Sequence, residues 1–291
     1  MDKNTDIFAG LKELGFDNIQ DVDIYGKKEK EKEQEKEIKE NIEIDERIYL
    51  YDKEVFCPVC ENKFKVRAVK TNAHRMKNKD SDFHVNYSLI NPYFYDVWLC
   101  NSCGYASTKA DFGKLRDSEI ELVQKNISTK WSGKKYAEIY DANVAIERYK
   151  LALLNHVVIG SKASKKAMNC LKIAWIYRTL EDTDNEQIFI KQALSGFDDA
   201  YFNEEFPIYG MHKFTILYLI GELNRRIGNN EEALMQFSKV ITSQNAGVKL
   251  KDLARDQKDL LRETLNNNKK EIVPEVEKIK KKSSFISRLF K

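Results

Sequence analysis

The spacing of apolar positions divides the chain into stretches of different period. Over residues 5–24 apolar side chains fall at helical intervals, Ile7, Leu11 and Leu14, followed by Phe16, and the pattern stops near Gly15. Residues 27–40 then alternate Lys and Glu. Strict alternation sets like charges four apart, which opposes a helix, and almost nothing apolar is present to bury, so this stretch reads as a solvated linker. From Ile48 the residues become β-prone. The spacing predicts a half-buried strand over 64–69 and another over 93–99, with a polar loop over 71–82 and a turn at Asn91-Pro92.

After Ala110 the period turns helical and stays so. Helices are predicted over 117–126, 136–158, 164–180, 184–205, 211–227, 230–243 and 249–265. Gly160, Pro207 and Gly228-Asn229-Asn230 supply stops or restarts. The 214–227 stretch carries apolar residues on nearly all sides, so it is expected to be buried between neighbours. The expected organisation is therefore a short helix and charged linker over 1–47, a zinc-ribbon-like module over 48–110, a helical domain over 111–267 and a basic tail over 268–291. The fold class is α+β: a small N-terminal zinc-ribbon β module followed by an all-α, tetratricopeptide-like helical bundle.

The candidate chemistry lies in the β-prone stretch. Cys57-Pro58-Val59-Cys60 and Cys100-Asn101-Ser102-Cys103 are two Cys-x-x-Cys pairs, the spacing at which four thiolates share one tetrahedral Zn²⁺. Four protein ligands leave no position for water, so the expected cofactor is a structural zinc ion held by Cys57, Cys60, Cys100 and Cys103. Gly104 and Asn62 are the residues expected to take the positive φ that such turns need. His74 and His84, between the pairs, are expected at the surface, and Cys170 as a buried core thiol.

These motifs carry a resemblance. Tyr51-Asp52-Lys53, the first cysteine pair, Asp80-Ser81-Asp82-Phe83, Asn91-Pro92, Tyr95-Asp96-Val97-Trp98 and the run Cys100 to Ala106 together resemble the DUF2225 family of bacterial proteins, over about 48–242. The resemblance implies a bacterial cytosolic protein; it assigns no activity and carries over no catalytic residue. In the helical part, Ile220-Gly221, Asn224, Gly228, Ala233 and Phe237 fall at tetratricopeptide offsets. Ala145, Tyr149 and Ala152 repeat its second-helix part, and Ala174, Tyr177 and Ala193 form a degraded copy. In that register Trp175 and Arg178 from one helix, and Tyr218, Arg225 and Arg226 from another, line a groove suited to a peptide carboxylate or an acidic partner segment.

Composition narrows the function. Apolar residues make up 42% of the chain and charged residues 33%, yet the formal net charge is only +3, so no global field calls for a polyanionic partner. The start, Met1-Asp2-Lys3-Asn4, lacks the apolar core of a signal peptide, no stretch is apolar enough to cross a bilayer, and the expectation is a cytoplasmic protein. There is no Gly-rich phosphate loop and no Gly-x-Ser-x-Gly elbow. His156 reads as a satisfied core histidine, and Asp198, Asp199, Glu204 and Glu205 are neighbours in sequence only.

The expectation is a non-catalytic, zinc-containing interaction or scaffold protein that binds another protein through its helical groove. The alternative is a nucleic-acid-binding regulator using Lys63, Lys65, Arg67, Lys70, Arg75, Lys77 and Lys79, with Tyr93, Phe94 and Tyr95 to stack bases. The tail over 278–291 mixes lysines with Ile279, Phe285, Ile286, Leu289 and Phe290, which suits an anionic membrane surface or a phosphate backbone, although a solvated, disordered tail is the commoner outcome for such a segment.

Overall fold

Three short antiparallel hairpins precede seven helices in the computed structural model, which describes residues 45–267. The 5–24 helical pattern, the Lys/Glu stretch and the basic tail lie outside the described residues. From Glu46 on, the described residues form one compact unit, of mixed α+β class.

The first hairpin pairs β1 (Leu50–Phe56) with β2 (Lys63–Val69), in register from Leu50↔Val69 to Phe56↔Lys63. The second joins β3 (Met76–Lys79) to β4 (Val85–Tyr87), and the third β5 (Val97–Leu99) to β6 (Ala106–Thr108). The strand expected over 93–99 is thus only its last three residues. Pro92–Tyr95 forms a 3-10 turn instead, because Pro92 presets a helical φ and the Asn91 side chain accepts from Tyr93 N. The β3–β4 hairpin occupies the stretch read as a loop. All four residues of β3 are exposed, so it has no apolar alternation to betray it.

The helices are α1 (Asp117–Asn126), α2 (Ala142–Val158), α3 (Ala163–Thr179), α4 (Thr183–Asn203), α5 (Lys213–Arg226), α6 (Asn230–Thr242) and α7 (248–267). Six of these boundaries follow the periodicity closely. α2 starts later than its apolar pattern, because Asp141 caps it by accepting from Val144 N. Tyr136 and Tyr140, left outside the helix, instead cover the buried guanidinium of Arg148, with ring centroids 5.1 and 4.6 Å away.

α2 packs directly on the third hairpin: Val97, Leu99 and Ala106 share a core with Ala145, Tyr149, Ala152, Ile173 and Ile176. α3, α4 and α5 enclose a second core around Leu171, Phe197, Ile216 and Leu223, and α5 to α7 a third around Tyr218 and Phe237. As expected, α5 is buried on most sides. The tetratricopeptide offsets have a packing cause at Gly221, where a Cβ would lie 3.0 Å from the Phe237 ring, and at Gly228, which leaves α5 with φ +82°. A second close helix approach was not signalled by that pattern. It is at Gly196 of α4, where an added Cβ would lie 2.9 Å from Ala167 Cβ of α3.

Gly196→Val forces α3 and α4 apart and lowers the unfolding free energy by ~2 kcal/mol, because overpacking outweighs the small gain in helix propensity. Urea unfolding checks this, with Gly113→Ala as the control at a position where a Cβ meets nothing within 4 Å.

Candidate metal centre and an occupied helical groove

Each cysteine pair forms the turn of a hairpin. In the β1–β2 turn, Glu61 N donates to Cys57 O and Cys57 N to Asn62 O, at 2.9 and 3.0 Å. In the β5–β6 turn, Gly104 N donates to Cys100 O and Cys100 N to Tyr105 O, both at 2.8 Å. The two knuckles are the same structure, with Glu61 in the place of Gly104. Both take positive φ, 58° and 75°. The expectation for Gly104 holds and that for Asn62 is displaced by one residue. Counting four positions from the first cysteine of each pair would have found Glu61.

The knuckles meet. Cys57 Sγ lies 3.5 Å from Cys103 Sγ and Cys60 Sγ 3.6 Å from Cys100 Sγ, and the four sulfurs lie within 4.8 Å of one another. Four sulfurs around one tetrahedral ion at ~2.3 Å would stand ~3.8 Å apart, so the donor set fits a metal ion. Charge argues the same way. Hydrogen bonds from Cys103 and Cys57 hold the Cys100 thiol well below its ordinary value, while Cys57 and Cys103 are pushed up, chiefly by that same partner. Four thiolates this close can ionise together only around a shared cation.

The surroundings hold the knuckles rigidly. Cys57, Cys100 and Cys103 are buried with Tyr105, Phe112, Val123 and Ile127. Gln124 of α1 donates to Val59 O at 2.9 Å and Trp131 Nε1 to Asn101 O at 2.8 Å. The Trp131 ring lies so close over Gly104 that a Cβ there would meet it at 2.7 Å.

The residues expected to line a groove also come together, and what they hold is the chain's own 80–84 loop. Trp175 Nε1 donates to Asp82 Oδ2 at 3.0 Å, and Arg178 reaches Asp82 at 2.6 Å and Asp80 at 2.9 Å. Tyr218 Oη donates to Ser81 O at 3.0 Å, and Arg226 lies 3.4 Å from Asp82 and 2.9 Å from Glu222. Arg225 bonds the same Glu222, which also accepts from Ser81 Oγ at 2.6 Å. Phe83, at φ 71°, packs on Tyr218 with ring centroids 5.4 Å apart. The chemistry read from the sequence, arginines beside aromatics receiving an acidic segment, is realised within one molecule. A groove standing open to an acidic partner at these five residues is not what the structure presents.

A family model described as "Uncharacterized protein conserved in bacteria (DUF2225)" matches residues 50–261, a span containing both knuckles and the loop. The chain belongs to the DUF2225 family. No curated protein and no solved structure matches it.

Other singled-out residues fall as follows in this DUF2225 chain. His84 is not at the surface: it is 1% exposed, stacked on Trp175 at 5.3 Å, with Nδ1 3.2 Å from Asp80. His74 is exposed. His156 is the satisfied core histidine expected, its Nδ1 2.9 Å from Ser161 Oγ. Cys170 is buried, and burial pushes its thiol up to about 11. Glu204 caps α3 by accepting from Ser164 N at 2.8 Å, and Asp199 accepts from Asn203.

Of the basic residues, Lys63 pairs with Glu54 at 2.8 Å and Arg67 with Asp52 at 2.9 Å, both across the first hairpin. Lys70 donates to Ile48 O, and Lys79 lies over the Phe83 ring. Tyr95 is buried against Tyr140, and Tyr93 packs on Trp175 and His84.

Asp82 has no exposed surface. Burial alone would raise its carboxyl, but hydrogen bonding to Arg178 and the charges of Arg226 and Arg178 hold it below the ordinary carboxylate value. Asp82→Asn leaves those guanidinium groups partly unpaired in the interior and lowers the unfolding free energy by about 3 kcal/mol, measured by urea unfolding at pH 7.

Burial pushes His156 down to about 4, with Asp111 opposing the shift and Lys165 and Lys166 adding to it. A histidine depressed in the fold takes up a proton more readily when unfolded, so stability present near neutrality is lost as pH falls below about 6.5 towards 4. His156 alone accounts for ~3 kcal/mol across that window. Unfolding curves at pH 7, 5 and 4 check this. His156→Asn shows a shallower fall than the parent chain, and the comparison cancels any loss common to both, such as metal release.

Proposed function

We propose that this DUF2225 protein is a non-catalytic, zinc-containing scaffold of the bacterial cytoplasm that binds another protein through its helical part. The observation that carries the reading is the closed set of four sulfurs on two equivalent knuckles. Thiolate donors at this spacing favour Zn²⁺, and with four of them the ion has no vacant position to activate water or polarise a substrate. Such an ion fixes two hairpin turns against each other, a structural role. The polar clusters away from it consist of groups that already satisfy one another: Asp82 with its arginines, and Glu204 with the first turn of α3.

Stacked helical hairpins are a common framework for protein recognition. Two points favour a protein partner over nucleic acid. The first-hairpin cations Lys63 and Arg67 are matched by carboxylates across the ladder, and Tyr93 and Tyr95 are packed inward, away from any base. No described helix is long and apolar enough to cross a membrane.

The test is affinity recovery of the native protein from its own cytosol, with metal analysis of the purified chain. The expected outcome is one zinc per chain, a thiolate-to-metal absorption on cobalt substitution, and a protein partner retained at moderate salt. Zinc removal by chelation lowers the melting temperature. Nucleic acid in the recovered material that dissociates steeply with rising salt, or a metal content near zero, would overturn the reading.

A further inference from the structure

The two knuckles share a backbone but not a covering. The second is roofed: the Trp131 ring lies on Gly104, its Nε1 donates to Asn101 O, and Lys134 N donates to Asn101 Oδ1 at 2.8 Å. In the first knuckle Cys60 stands where Cys103 does in the second, and Glu61 where Gly104 does. Glu61 and Asn62 are both exposed. The four cysteines differ accordingly. Cys57, Cys100 and Cys103 are 1%, 0% and 5% exposed, whereas Cys60 is an exposed residue.

Exposure matters because a zinc-bound sulfur keeps thiolate character, and oxidation of a thiolate is governed by access. A second sulfur stands ready to complete the reaction. Cys100 Sγ lies 3.6 Å from Cys60 Sγ across the two knuckles, so a disulfide of ~2.0 Å needs the pair to close by only ~1.6 Å. The fifth cysteine, Cys170, is buried in a different core, among the helices.

We infer that Cys60 is a site of oxidative modification, at which hydrogen peroxide converts the zinc centre into a Cys60–Cys100 disulfide and the ion is released. This rests on the zinc-binding reading above and adds regulation to it. First, Cys60 Sγ attacks one peroxide oxygen: an S–O bond forms, the O–O bond breaks, and hydroxide leaves with the bonding pair. Cys100 Sγ then attacks the Cys60 sulfur, forming the S–S bond and expelling the second hydroxide. The two sulfurs lose two electrons, and the peroxide is reduced to two water molecules once the hydroxides take up two protons. The Cys57 and Cys103 thiolates that remain are too few to hold the ion, and each takes up a proton as it leaves. The disulfide joins the same two turns that the ion joined. The fold survives the exchange, held also by Gln124 on Val59 and Asn155 on Gly104, and a thiol reductant with added zinc reverses it.

The experiment treats the zinc-loaded full chain with hydrogen peroxide and follows released zinc with a metallochromic indicator. Free thiols are then alkylated and the cysteines located by tandem mass spectrometry. The expected result is release of the zinc and a Cys60–Cys100 disulfide, with Cys57, Cys103 and Cys170 alkylated. In a second measurement the unoxidised, zinc-loaded chain meets substoichiometric iodoacetamide, and the first adduct falls on Cys60. Cys60→His keeps four ligands but puts a nitrogen in place of the exposed sulfur. Peroxide releases zinc from this variant at least about tenfold more slowly than from the parent.

Zinc retained under peroxide, a first adduct on Cys57, Cys100 or Cys103, or equal release from parent and Cys60→His overturns the inference. A Cys57–Cys60 disulfide overturns the choice of Cys100. Should Cys60→His bind no zinc, the adduct and disulfide maps of the parent decide alone. A parent chain that holds no zinc at the outset refutes the zinc-binding reading and this inference with it, whereas a chain that holds zinc and keeps it under peroxide refutes the oxidation only.

Discussion

A carboxylate sealed from water ties the β part of this protein to its helices. Asp82 has no exposed surface, and an ion in that position is tolerated only where its charge and lone pairs are fully met. Here the Trp175 indole, the Arg178 guanidinium and Arg226 meet them, and Glu186 and Glu222 in turn balance the arginines. The geometry joins α3, α5 and the tip of the β3–β4 hairpin, segments far apart in sequence. Apolar packing of Phe83 on Tyr218 and of His84 on Trp175 could be met by many hairpin placements. The bonds to Asp82 select one.

The second tie lies at the other end of the β part. The cysteine knuckles are fixed to α1 through Gln124, to α2 through Asn155, whose Nδ2 donates to Gly104 O, and to the segment between them through Trp131. With the third hairpin also buried under α2, the β elements cannot turn as a body against the helices without breaking an ionic network, the knuckles' hydrogen bonds to α1 and α2, and a core together. Tetratricopeptide-like hairpins alone contact mainly their neighbours in sequence. The long-range ties here replace that quasi-linear arrangement with a closed one.

Much of this was legible in sequence and the reasons for the rest are specific. The cysteine spacing pointed to the sulfur cluster because metal-ligand geometry leaves few alternatives, and the helices were legible because their buried faces repeat over many turns. The β3–β4 hairpin was not, since Met76-Lys77-Asn78-Lys79 carries its information in backbone pairing and not in side-chain burial. Asp82 read as the end of a polar loop and His84 as a surface residue because charged and polar types in a polar stretch usually are exposed. The arginines and aromatics of α3 and α5 were correctly grouped. What could not be read was their occupant, because an intramolecular acidic segment and an acidic partner have the same chemistry.

That equivalence bears on where recognition can occur. A concave face that has already satisfied its cations offers an incoming carboxylate no unpaired charge, and displacing the resident loop would expose Arg178 and Arg226 before any new bond formed.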